Sequence, residues 1–200
     1  MRCLFLALAL LFATPVLSQD TVALIAAARG QIGVTTVYDP AYVGLDFPGG
    51  DVPADRGVCT DVLIRALRTA YQIDLQLAVN RDMKADFAAY PALWRLTTTD
   101  RNIDHRRVPN LQTLLERSGA GLPASTDPGQ YLPGDLVTWL LPGNLPHIGI
   151  LSDRSGTAPL ILHNIGAGAA EDDILFAFPI TGHYRLTPAA LDHLRRLTAG

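Results

Sequence analysis

The chain predicts an α+β fold, with helices in its first half and an antiparallel sheet in its second. Three observations carry this expectation. Apolar residues recur at helical spacing between residues 58 and 87. Beyond residue 131 the pattern switches to short, β-rich runs separated by turn residues. A 200-residue chain that is 48% hydrophobic and 18% charged suits one domain with a single core.

Taken in order, the first residues, MRCLFLALALLFATPVLSQD, read as a secretory signal. Arg2 supplies the positive start and residues 4–12 the apolar run; Pro15 breaks it, and Val16 and Ser18 are small enough for a cut near Gln19. The expected organisation is a signal peptide over residues 1–18 and a single domain over 19–200. The apolar run is shorter than the roughly 20 residues of a membrane span, so an exported protein without an integral span is expected, in the periplasm or outside the cell. Removing the leader leaves 15 basic side chains against 19 acidic ones, which gives no electrostatic case for nucleic acid.

Residues 21–29 form a short helix ended at Gly30, and residues 34–38 a short strand. Residues 39–56, rich in Pro, Gly and Asp, read as loop. The run RGVCTDVLIRALR follows, with Val58, Val62, Ala66 and Ala70 at every fourth position beside Leu63 and Leu67, a helix with one apolar stripe. Residues 74–89 repeat that spacing and stop at Pro91; residues 94–110 are polar and irregular; residues 111–117 are a further helix and residues 121–130 a linker. Residues 136–141, 147–151 and 160–165 are strands, with 174–178 and 183–186 extending the sheet. Thr187 and Pro188 open a last helix as cap and first-turn proline.

Cys59 falls in the first turn of its predicted helix. Unpaired N–H groups there favour thiolate over thiol and can hold a developing oxyanion. Once the leader is removed Cys59 is the lone cysteine, with no partner for a structural disulfide. On the strand at 147–151, His147, Gly149 and Leu151 share a face. A hairpin turning at Ser155 sets His163 opposite His147, whereas a slip of one residue sets Asn164 there and turns every side chain over. Either could orient the His147 ring, and Gly149 leaves room beside it for another segment. These are the parts of a thiol hydrolase: Cys59 as nucleophile, His147 as base and then acid, His163 or Asn164 as the third member. Asp104, Arg106 and Arg107 cluster as a clamp for acidic groups of a substrate. Tyr42, Tyr38 or Asp51, on the loop leading to Cys59, is placed to line the site. Asp61 reads as a helix cap.

The segments PGDLVTW, PHIGILSD and LILHNIG resemble the strand set of the NlpC-type cell-wall peptidases, and Cys59, His147 and His163 match that family's pattern in order. The resemblance implies a papain-like fold, with the cysteine helix packed on a small antiparallel sheet, and a peptidase or amidase acting on the stem peptides of peptidoglycan. The cysteine motif departs from it: V-C-T-D stands where that family usually has D-C-S-G, so its substrate preference does not transfer directly. GVCTDVLIRALR, NIDHRRVPNL, YLPGDLVTW, HIGILSD, HNIGAG and GHYR together resemble, over most of the chain, the YijF-like bacterial family, whose function is unknown. The expectation is therefore an exported, monomeric cysteine hydrolase without cofactor or metal. Two other readings stay open: a zinc protein using Cys59, His147, His163 and His183, and a non-catalytic module that binds wall peptides.

Overall fold

The computed structural model describes residues 17–199. The proposed leader, with Arg2 and the apolar run at 4–12, therefore lies outside the described residues, except for its last two positions. Ser18 is the N-cap of α1 (Gln19–Arg29), its hydroxyl accepting the Thr21 N–H at 3.1 Å. No helix among the described residues is long and apolar enough to cross a membrane.

The fold is α+β: among the described residues there are five α-helices and a six-stranded antiparallel sheet, with a two-stranded parallel pair, β1 (Val37–Tyr38) and β2 (Arg56–Gly57), at the loop before the cysteine. α2 runs Cys59–Tyr71 and buries its stripe as its spacing requires. α3 (Leu75–Ala85) starts at the Asp74 cap but ends earlier than expected, a short 3-10 turn taking residues 87–89. α4 (Val108–Arg117) starts earlier than its apolar spacing suggests, because Pro109 fits a first turn. β3 (Gly121–Leu122) falls in the stretch expected as linker.

The sheet continues with β4 (Leu136–Leu141), β5 (Leu145–Ser155), β6 (Pro159–Asn164), β7 (Ala169–Asp172) and β8 (Ile180–Tyr184), in the order β3-β8-β4-β5-β6-β7. The last two strands lie upstream of the expected 174–178 and 183–186. α5 (Pro188–Thr198) closes the chain under its Thr187 cap.

Alternation along the strands divides the interior in two. Leu136, Ile148, Ile150, Leu162 and Tyr184 pack under α2 with Val62, Leu63, Ala66 and Leu67. On the other face Val137, Trp139, Leu151 and Ile161 pack with Tyr131 and Leu175. The indole N–H of Trp139, which would be costly to bury unpaired, donates to the Leu175 carbonyl at 2.9 Å.

The β5–β6 hairpin sits two residues from the symmetric register. Ile150 faces Leu162, Leu151 faces Ile161, and an irregularity between Leu151 and Ser155 absorbs the difference. A shift of two keeps every side chain on its expected face. The result is that Gly149, not His147, lies beside His163. A Cβ on Gly149 would stand 2.5 Å from Ile161 Cγ2 and 3.2 Å from His163 Cβ, so the glycine permits the close approach of β6. Gly149→Ala should therefore cost about 1–3 kcal/mol through overpacking, read as a lower urea midpoint with an unchanged slope.

Candidate functional site

The start of α2 is fixed by charge. Asp61, in the first turn, accepts the Val58 N–H at 2.6 Å, so it caps the helix from within. Its two oxygens also take the Arg106 guanidinium side-on, from Nε and Nη2, at 2.9 Å each. Arg106 further donates to the carbonyls of Asp39 and Ala41, both at 3.2 Å, and its own carbonyl accepts the Thr60 hydroxyl. Gly57 has no room for a side chain, since a Cβ would fall 2.9 Å from the Asp61 carboxylate.

This arrangement corrects part of the expected substrate clamp. The side chains of Arg106 and Asp61 are each only 2% exposed, and the arginine is consumed by its partners. Asp104 is also internal. It accepts the Asp100 N–H and the Arg107 guanidinium, and burial raises its pKa. Tyr42 is 60% exposed and hydrogen-bonds to Asp100, away from the cleft. Arg106 and Arg107 both border the cleft, but the Arg106 guanidinium is turned to Asp61. Arg106→Ala should destabilise the fold by about 3–5 kcal/mol, because Asp61 is left buried and unpaired; the drop in thermal or urea midpoint measures it.

A cleft of about 210 Å³ opens over this helix start, lined by Tyr38, Val58, Cys59, Trp94, Arg107 and Pro146 among others. The Arg107 guanidinium stacks on the Trp94 ring at 4.1 Å. The same two side chains border a smaller, more enclosed cavity of about 120 Å³ towards Met83 and Asn110. The Tyr38 hydroxyl, its pKa raised by burial and by the neighbouring Cys59 and Asp61, faces the same region.

Cys59 is free and 5% exposed. The backbone N–H groups of Ile148, Thr60 and Cys59 itself pull the thiol pKa down. The Ile148 contact follows from the sheet. The Leu151 N–H bonds to Asp135, on the β4 side, and alternate N–H groups of a strand point the same way, so that of Ile148 points towards β6. The β5–β6 ladder ends at the Ile150–Leu162 pair, so the Ile148 N–H beyond it is left without a β6 partner and acts on the thiol. The thiol thus sits at the seam between β5 and β6, next to the residue that follows His147.

The expected thiolate is overturned. Burial pushes the Cys59 pKa up to about 11, and the Asp61 charge adds to this against the opposing N–H groups. Desolvation here outweighs the helix terminus. Alkylation of Cys59 by iodoacetamide should be slower than that of free cysteine at pH 7.5, and should rise with pH towards about 11, which mass spectrometry of the labelled protein would follow.

His147 lies on the face of the sheet that carries Trp139, its partner across the β4–β5 ladder, with ring centroids 5.8 Å apart. Its Nε2 lies 3.0 Å from His163 Nδ1, and the rings meet edge-on. His163 Nε2 in turn lies 3.1 Å from Asp172 Oδ2. Burial lowers the His147 pKa to about 3, and lowers that of His163 against the opposing pull of Asp172. Both rings are neutral at pH 7. Among the described residues, no hydrogen bond joins the sulfur to either ring.

Asn164 points to the opposite face. Its amide donates to the Gly57 carbonyl at 3.0 Å, which ties the end of β6 to the loop before Cys59. His163, then, is the residue that touches His147. His183 is drawn away by Asp135, at 2.7 Å, and stacks on Tyr131. Among the described residues no group of three or more His, Cys, Asp or Glu side chains could hold a metal ion. Sequence reasoning did not single out Trp94, Pro146 or Asp172. Trp94 and Pro146 carry no motif, and Asp172 is recognisable only once the β6–β7 register is known.

Residues 25–186 match a family described as a domain of unknown function, DUF1287. The chain belongs to that family. It is 56% identical, over 161 residues, to the uncharacterized protein YijF of Escherichia coli K12, covering 79% of this chain and 78% of that one. No solved structure matches it.

Proposed function

We propose that this protein is an exported cysteine hydrolase of papain-like architecture that cleaves peptide or amide bonds in bacterial cell-wall peptidoglycan. The observation that carries the reading is Cys59 at a helix start under Ile148 of β5, the strand whose other face carries the buried His147–His163 pair. The substrate class rests on the resemblance of the PGDLVTW, PHIGILSD and LILHNIG strands to the NlpC-type peptidases. The leader-like first residues support export.

Because thiol and imidazole are both neutral at rest, the chemistry is general-base rather than ion-pair. As the sulfur bonds to the scissile carbonyl carbon, its proton passes to His147. The oxyanion meets the first-turn N–H groups of α2. Collapse breaks the carbon–nitrogen bond, and the leaving amine takes the proton from His147, leaving a thioester on Cys59. Water then attacks the thioester, gives its proton to His147, and the proton returns to sulfur as the acid leaves. Arg107, stacked on Trp94 at the cleft wall, offers the cation for a carboxylate of the peptide.

Burial of the thiol favours a second reading, in which the cleft binds wall peptides without cleaving them. One experiment separates the two. Purified sacculi are incubated with the wild type, Cys59→Ala and His147→Ala, and the soluble fragments are read by mass spectrometry. The hydrolase reading expects new termini from wild type, none from Cys59→Ala, and a rate lower by about 10²–10⁴ for His147→Ala. Identical fragment profiles for wild type and Cys59→Ala would leave only binding.

A further inference from the structure

The contact between His147 and His163 can run in either direction. If His147 Nε2 carries the proton it donates to His163 Nδ1, and His147 Nδ1 is left bare. If His163 Nδ1 carries it, His147 Nε2 accepts and the proton of the neutral His147 ring sits on Nδ1. Only the first order leaves a ring nitrogen able to take a proton from a thiol.

The third group in line breaks the tie. Asp172 Oδ2 lies 3.1 Å from His163 Nε2, and a carboxylate can only accept. His163 Nε2 must then hold the proton of the neutral ring, its Nδ1 must accept, and His147 must donate from Nε2. We infer that Asp172 is a positioning residue: it sets the direction of the chain Asp172–His163–His147 and so leaves His147 Nδ1 unprotonated. Its role in a reaction rests on the hydrolase reading above; the proton order does not.

The surroundings support this assignment. Asp172 is diagonal to His163 across the β6–β7 ladder, where Ile161 faces Asp172 and His163 faces Ala170. Among the described residues, its carboxylate makes no other hydrogen bond or ion pair. Glu171, one position earlier, turns to the opposite face and is held by Arg29, Ser152 and Arg154. A second acidic neighbour is thus kept off the imidazoles, and among the described residues Asp172 is the one charged side chain bonded to either ring. Burial keeps both rings neutral.

The test reads the protons directly. Long-range ¹H–¹⁵N spectra of the imidazoles in ¹⁵N-labelled purified protein at pH 7 should show His147 and His163 both protonated at Nε2, with Nδ1 bare. The Asp172 side chain is 49% exposed, so replacement there is accommodated. Asp172→Asn can still accept through its amide oxygen and should keep the wild-type pattern. Asp172→Lys puts a donor against His163 Nε2 and should move the proton to Nδ1 of both rings, with backbone amide spectra otherwise unchanged. On sacculi, Asp172→Lys should then lose about a hundredfold in fragment release, while Asp172→Asn stays near wild type. A proton on His147 Nδ1 in the wild type overturns the inference without needing any variant. So does an Asp172→Lys protein with the wild-type pattern. The expected pattern in a protein that leaves sacculi intact would instead sink the hydrolase reading and keep the proton order.

Discussion

Two charges removed from water at the first turn of α2, Asp61 and Arg106, hold the cleft together. Each is compensated more than once: the carboxylate by a backbone N–H and a side-on guanidinium, the guanidinium by two further carbonyls. Such a pair is costly to desolvate and adds little net stability over a packed apolar substitute. What it contributes is geometry. It joins the helix start, the loop at residues 39–41 and the turn at residues 104–106, three segments far apart in sequence, and thereby places Cys59 beneath Tyr38 and Arg107.

The rest of the site is built by the sheet. Alternation sends Ile148 under the helix beside Cys59 and His147 to the other face, and the early end of the β5–β6 ladder leaves the Ile148 N–H without a β6 partner. Gly149 lets β6 come close enough for the imidazoles to bond, while Asn164, facing the other way, anchors the loop that delivers the cysteine. The thiol and the imidazoles therefore lie on opposite faces of the sheet, each buried and each uncharged at rest.

Much of this was legible in the chain. Strict helical spacing identified α2, and Thr187-Pro188 placed α5, because local rules govern both. Strand alternation gave the face shared by His147 and His163, and an even register shift left that face unchanged. The errors came where tertiary context decides. The Asp104–Arg107 run looked like a clamp because charge on a polar stretch ordinarily stays in water; only the fold shows that Arg106 has an internal partner 45 positions earlier. A helix start argued for a thiolate, but the degree of burial, which no local pattern encodes, raises the thiol instead. Asp172 was invisible because β7 lies upstream of where hydropathy put the next strand.

The high thiol pKa reaches beyond any reaction. Oxidation to sulfenic acid and exchange with disulfides both begin from thiolate and need access to solvent. A sulfur that stays protonated and covered is spared both, so its place in the fold, rather than a partner cysteine, keeps Cys59 reduced.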